Sequence, residues 1–143
     1  MLDGPYEASP VPHVREQVET YEMSGGRAGN TADGLPIIVL TTRGARTGHL
    51  RKTPLIRVEH DGRYLAVASS GGATTHPAWY FNAVAEPTVE VQDGPATTVM
   101  RARELHDDER LAWWCRAVET FPVYGKYQTI TSRLIPILLC ERI

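Results

Sequence analysis

Cysteine is nearly absent from this chain. Cys115 and Cys140 are the only two, and neither belongs to a CxxC or CxxH pattern. A disulfide framework and a structural zinc site therefore have no sequence support, and each thiol, set in an apolar run, reads as reduced and buried. Long hydrophobic runs are missing too: nothing approaches the ~18 consecutive apolar residues of a membrane span. The start, Met-Leu-Asp-Gly-Pro, lacks the basic and apolar stretches of a secretory signal, so a cytoplasmic protein is expected, with no indication of peripheral membrane association. Five scattered histidines and no HExxH argue against a metal site. GxSxG, GxGxxG and GxxxxGK[ST] are all absent, which removes the common nucleophile elbow, the dinucleotide fingerprint and the Walker loop. With no standard catalytic constellation, chemistry carried by a bound cofactor becomes the attractive enzyme reading.

A surplus of positive charge is also lacking. The net charge of −2 disfavours a nucleic-acid or anionic-membrane binder, which would be basic over a broad face. That total conceals an asymmetry. Arg43, Arg46, Arg51 and Lys52 place +4 within residues 43–52, and the rest of the chain carries −6. Glycines 44 and 48 let backbone N–H groups approach an anion, and guanidinium groups clamp phosphate or carboxylate oxygens. One compact basic loop on an acidic body points to one small anionic ligand.

At 143 residues the chain fits a single domain of roughly 100–200 residues. Residues 1–34 read as an N-terminal helix, with Val14, Val18 and Tyr21 at helical spacing, followed by a flexible Gly-rich segment; residues 35–143 form the main domain. Strands are expected at 35–42, 52–60, 63–69, 88–92, 97–104 and 136–140. Asp61-Gly62 and Asp93-Gly94-Pro95 mark two hairpins. Pro77 opens a helix through residue 85, and Asp107 caps another over 108–120, whose expected apolar stripe is Leu111, Trp114, Cys115 and Val118. Antiparallel strands interspersed with helices predict a mainly β, α+β barrel of about six strands.

Two further clusters carry candidate chemistry. Ser69-Ser70-Gly71-Gly72 gathers hydroxyls and free N–H groups after a strand, suited to an anion or a polar ring edge. Trp79 and Phe81 are explained by core packing, whereas Tyr124 beside Gly125 fits a cleft for a flat ligand, with Tyr127 on the same face if the segment is helical.

In order, LTTRGARTGHLRKTPL (40–55), VASSGGA (67–73), HPAWYFN (76–82), FPVYGKY (121–127) and IPI (135–137) resemble the deazaflavin-dependent nitroreductase family over residues 35–143. The resemblance implies a split β-barrel that binds coenzyme F420, a deazaflavin with a phosphate and an oligoglutamate tail. It implies hydride transfer to a small electrophile: an activated alkene, a quinone or a nitro compound. The matching cofactor positions are Arg46, Thr47, Arg51, Lys52, Thr53, Pro54, Leu55 and Ile56 on the basic loop and its strand, Val67, Ala68, Ser69 and Ser70, then Ala78, Trp79, Tyr80, Phe81 and Asn82, and finally Tyr124. Ile56, Ser69, Phe121, Tyr124 and Tyr127 match the substrate side, with Ser69, Tyr124 and Tyr127 as donors to the acceptor oxygen. Ser70 stands where a lysine is frequent. Ile56 and Phe121 stand where the nitroimidazole-activating member has tyrosines, which weakens the case for that substrate. A non-catalytic F420-sequestering protein and an FMN-binding split-barrel oxidoreductase are the alternatives, and a homodimer is left open.

Overall fold

The computed structural model describes all of residues 1–143. Four helices, α1 (Pro12–Met23), α2 (Ala78–Ala85), α3 (Asp107–Thr120) and α4 (Val123–Ile130), accompany eight strands. The strands are β1 (Thr31–Ala32), β2 (Leu35–Arg43), β3 (Leu50–Ile56), β4 (Glu59–His60), β5 (Arg63–Val67), β6 (Thr88–Asp93), β7 (Ala96–Glu104) and β8 (Ile137–Arg142). All pairings between them are antiparallel, in the order β1-β2-β6-β7-β8-β5-β4, with β3 on β2. The six long strands lie at the expected sites, β1 adds two residues, and β4 is the far end of the expected 52–60 strand.

One expected strand is divided. Residues 50–56 pair with β2, but 59–60 pair with β5 across the Asp61-Gly62 turn. The change of partner falls on Arg57 and Val58: Arg57 N donates to Pro36 O at 2.9 Å, and Val58 O accepts from Leu65 N at 2.8 Å. The chain thus begins this run on one edge of the sheet and ends it on the other, curling the sheet into the split barrel. Asp93 on β6 fastens the crossing, accepting from Arg57 Nε at 2.9 Å and from the Tyr64 hydroxyl at 2.6 Å.

Period-two alternation explains why β2 and β8 read as continuous apolar runs. Ile38 and Leu40 enter the barrel core with Val89, Val91, Met100 and Leu138, while Ile37 and Val39 face Val18 and Tyr21 of α1. On β8, Leu138 and Cys140 point inward, and Ile137 and Leu139 pack with Trp113, Ala117 and Tyr124. The expected stripe on α3 is corrected: Leu111 and Cys115 are exposed, and Trp113 and Ala117 are buried. The small Ala117 lets the helix approach the sheet closely on that side, so the wide indole one turn earlier becomes the anchor. Asp107 does not cap this helix; it is the first helical residue at φ 54°, and His106 precedes it without a side-chain cap bond.

The α1 helix is tied to the barrel through Tyr21, whose hydroxyl accepts from Gly94 N at 2.6 Å in the β6–β7 turn. Gly26 lies against the same turn at φ 79°, and a Cβ there would stand 2.5 Å from Gly94 Cα. Alanine at position 26 would combine a left-handed backbone with that overlap. Gly26→Ala should therefore destabilise the fold by more than ~1 kcal/mol, read as a lower urea midpoint at unchanged m-value.

Candidate functional site

Four clefts, of about 390, 370, 390 and 330 Å³, indent the surface; three of them share lining residues, and the 370 Å³ one, between α3 and α4, stands apart. The continuous three form a groove over the β2–β3 face. Its cationic end is lined by Gly44, Ala45, Arg46, Thr47, Arg51, Ala78, Phe81 and Asn82. Arg51, Ala78 and Asn82 are shared with a middle section containing Thr42, Lys52, Thr53, Ser70, Pro77 and Trp79. Thr53, Ser70, Pro77 and Trp79 continue into the far end, where Pro54, Leu55, Ile56, Val67, Ser69, Gly71, Phe121, Tyr124 and Tyr127 converge. Of the residues expected at the site, Ala68 and Tyr80 alone do not line the groove. Ala68 is buried in the barrel core, and the Tyr80 hydroxyl donates to Glu104 at 2.6 Å.

The basic loop is a closed turn. Gly44 N donates to His49 O at 2.7 Å, Gly48 N to Gly44 O at 2.9 Å, and His49 N to Thr47 Oγ1 at 3.1 Å. Asn82 joins it to α2 by accepting from Ala45 N at 3.0 Å. Its four cations serve different ends. Arg43 donates to Gly48 O and Asp3 O and so stiffens the loop. Lys52 pairs with Glu22, and Arg51 Nη1 lies 3.3 Å from Glu7 Oε2. Arg46 is exposed and has no ion-pair partner.

Residues that the sequence did not single out complete the walls. Glu7 reaches the cationic end because residues 5–7 run beside β3, with Leu50 N donating to Pro5 O at 2.8 Å and Glu7 N to Leu50 O at 2.9 Å. Ser9, Val11 and Val14 border the middle section, and Ala32 and Asp33 the far end. Thr42, 1% exposed, lines the middle section with a buried hydroxyl that has no hydrogen-bond partner. A buried polar atom without a partner is uncommon and costly, so this hydroxyl is available to a polar ligand. Thr42 lies within the 40–55 block, yet the block gives no sign that this threonine's hydroxyl lacks a partner.

At the far end, aromatic rings meet edge to face: Phe121 and Tyr124 have centroids 5.0 Å apart at 89°, and Tyr127 stands 6.5 Å from Tyr124. Expected core residue Phe81 is instead 53% exposed at the cationic end, whereas Trp79 is buried and still forms groove wall. Burial, then the neighbouring Tyr127 and Asp33, push the Tyr124 phenol well above its ordinary range. It is therefore a neutral hydrogen-bond donor at any physiological pH. The groove as a whole offers cations at one end and an apolar, phenol-bearing wall at the other, which matches a long ligand with an anionic tail and a flat ring. No group of three His, Cys, Asp or Glu side chains is arranged to hold a metal ion, and no helix is long and apolar enough to cross a membrane.

Residues 13–142 match the model of a protein family described as F420H(2)-dependent quinone reductase. The chain belongs to that family. It is an oxidoreductase whose reductant is F420H2. It is 36% identical over 126 residues to an F420H(2)-dependent quinone reductase of Mycobacterium tuberculosis (strain ATCC 25618 / H37Rv), covering 85% of each chain. Among solved structures it is similar to the F420-H2 dependent reductase FDR-A of M. smegmatis, with 52% identity and a TM-score of 0.71 over 74% of this chain and 94% of that one. A second structure, described as a domain-swapped dimer, is 48% identical with a TM-score of 0.74 over 93% of this chain and 100% of that one. The split β-barrel implied by the resemblance, and the α+β barrel expected from the residues, are thus borne out.

Tyr124 gives the site a pH signature. Its folded-state pKa lies above the unfolded value of about 10, so alkali ionises the unfolded chain first. Stability should then fall as pH rises past 10. Tyr21, Tyr64 and Tyr80 are raised as well, the latter two to about 12, chiefly by burial. Spectrophotometric titration of the folded protein should show less phenolate at pH 11 than the urea-unfolded chain, and Tyr124→Phe should remove one of the late-titrating phenols.

Proposed function

We propose that this protein transfers hydride from F420H2 to a quinone-type acceptor, with the cofactor's anionic groups at the Arg46–Arg51 end and its ring at the Tyr124 end. The observation that carries this reading is the continuity of the groove between those two ends. Residues 35–143 supply the deazaflavin-binding barrel, and from residues 1–34 Glu7, Ser9, Val11, Val14, Ala32 and Asp33 line its groove. When bound, the reduced deazaflavin supplies the hydride; everything else falls to the protein.

Arg46 and Arg51 bind phosphate or carboxylate oxygens through charged, bidentate hydrogen bonds. The loop's internal bonds hold Thr47 and the glycine backbone in place before the ligand arrives, which lowers the ordering cost of binding. Thr42 offers the hydroxyl that has no partner within the protein. Trp79, Leu55 and Val67 provide flat and apolar wall, and Phe121 and Ile56 exclude water from the acceptor's side. Ser69, Tyr124 and Tyr127 are hydrogen-bond donors for an acceptor oxygen. A quinone that gains hydride develops negative charge on oxygen, and a fixed neutral phenol stabilises that charge before a proton from solvent completes the hydroquinone. Activated alkenes and nitro compounds develop charge on oxygen in a similar way and form the second tier of acceptors. The acceptor is a small molecule, the compartment is the cytoplasm, and neither nucleic acid nor a membrane span takes part. A homodimer is the assembly supported by the similar domain-swapped structure.

Titration with F420, followed by fluorescence, tests the cofactor, and FMN is the control. Saturable F420 binding followed by menadione-dependent oxidation of F420H2 supports the enzyme. Binding without turnover on any quinone would identify a sequestering protein, and FMN binding without F420 binding would overturn the reading. Arg51→Ala should weaken F420 binding by about 1.5–3 kcal/mol. Glu7→Gln should act in the opposite direction, because the ligand no longer competes with a carboxylate for Arg51. Tyr124→Phe should lower kcat more than it alters cofactor affinity.

A further inference from the structure

One guanidinium that lies outside the groove lining is committed entirely to the groove's wall. Arg133, in the connector between α4 and β8, donates to four acceptors on the segment after β5. Its Nε reaches Ala73 O at 2.8 Å, Nη1 reaches Ala68 O at 3.0 Å and His76 Nδ1 at 2.8 Å, and Nη2 reaches Ser69 O at 2.7 Å. It makes no ion pair. Its own backbone is fixed by Gln128 of α4, whose amide donates to Arg133 O at 2.8 Å and accepts from Ile135 N at 2.9 Å.

The direction of those carbonyls has a consequence for the opposite side of the segment. A trans peptide sets C=O and N–H antiparallel, and no peptide bond in the chain is cis. Because the carbonyls of Ala68 and Ser69 turn toward Arg133, the N–H groups of Ser69 and Ser70 turn away from it. Neither N–H finds an acceptor within the protein. Both residues line the far end of the groove, and Arg133 does not. The backbone that presents them is strained: Ser70 has φ 46°, followed by Gly71 at 63° and Gly72 at 81°. A serine resists the left-handed region and persists there when its surroundings enforce it. Here the enforcement is the fork of Arg133 on one side and, on the other, Gly72, whose absent Cβ would lie 3.4 Å from the Tyr127 backbone.

We propose that Arg133 is a positioning residue: it holds the Ser69–Gly72 turn so that the N–H groups of Ser69 and Ser70 are aimed into the groove as donors to an oxygen on the edge of the bound ring. A cation on the carbonyl side also polarises these two peptides and strengthens them as donors. The identity of the ring rests on the F420 reading above, whereas the arrangement of the loop does not.

Two substitutions test this. Arg133→Gln removes the charge and most of the four contacts; Arg133→Lys keeps the charge and loses the planar fork. F420 titration should give a Kd at least about tenfold higher for Arg133→Gln, with Arg133→Lys nearer to it than to the unaltered protein. kcat should fall while KM for the quinone stays unchanged. In ¹⁵N–¹H spectra of the protein without cofactor, the amide signals of Ser69, Ser70 and Gly71 should move in both variants while those of β2 and β6 stay in place. Were the role one of stability alone, the melting temperature would drop while Kd and kcat of the folded protein stayed unchanged, and that result overturns the proposal. If Arg133→Gln does not fold, Arg133→Lys carries the same readouts. Failure of the unaltered protein to bind F420 overturns the identity of the ring; unmoved loop amides overturn the positioning.

Discussion

The handover at Arg57 and Val58 is the constraint on which the rest of the structure depends. A strand can hydrogen-bond along two edges, and an open sheet leaves two edges unsatisfied. Here a single run of chain begins as the outer neighbour of β2 and ends as the outer neighbour of β5, so one two-residue step closes the barrel. It also leaves β3 as a wall rather than an interior strand, and Arg51, Thr53 and Leu55 are groove lining for that reason. The Arg57–Asp93–Tyr64 cluster at the crossing is the polar fastening of this closure. Burial and the Asp93 hydrogen bond push the Tyr64 phenol to about 12, so the donor that closes it stays protonated.

How much of this is legible in the sequence follows from the range over which each signal acts. Local patterns such as Asp61-Gly62, Asp93-Gly94 and the β-branched run at 35–42 place the strands correctly, because turn chemistry and alternation act between neighbours. The division of 52–60 is invisible locally: Lys52 to His60 has strand character throughout, and only the choice of partner separates its halves. Trp113 and Trp114 are adjacent, so an error of one residue rotates α3 by about 100° and exchanges buried for exposed faces. The groove lining came largely from motif blocks read in order. Glu7 and Arg133 carry no motif, and each reaches the groove from a segment distant in the chain; Thr42 lies inside the 40–55 block, but nothing there marks its hydroxyl as unpaired.

Charge shows the same dependence on the fold. In the sequence, residues 43–52 hold four equivalent cations. In the structure Arg43 is a brace, Lys52 is neutralised by Glu22, Arg51 is shared with Glu7, and Arg46 is free. The acidic body is not merely a background to the basic loop, because Glu7 and Glu22 are carried to it by the N-terminal segment and α1. Glu7 stands at the cationic end and shares Arg51, so on the proposed function an anionic ligand there would have to outmatch that carboxylate.

The two ends of the groove differ in how they are held, and this difference bears on function. The cationic end is a loop on β2 and β3, closed by its own backbone bonds, joined to α2 through Asn82 and to the N-terminal segment by hydrogen bonds with Pro5, Glu7 and Asp3 as well as by exposed ion pairs of small individual worth. The far end is held by buried rings, by the Gly72 approach to α4 and by the fork of Arg133. On the proposed function, binding energy collected at the cationic end would press the ring against the aromatic end, which is the arrangement that orientation of a hydride donor requires. On the proposed function, Tyr124, 5% exposed and neutral, would gain its value as a donor from that rigidity, because a preorganised dipole does not have to reorganise when charge develops on the acceptor.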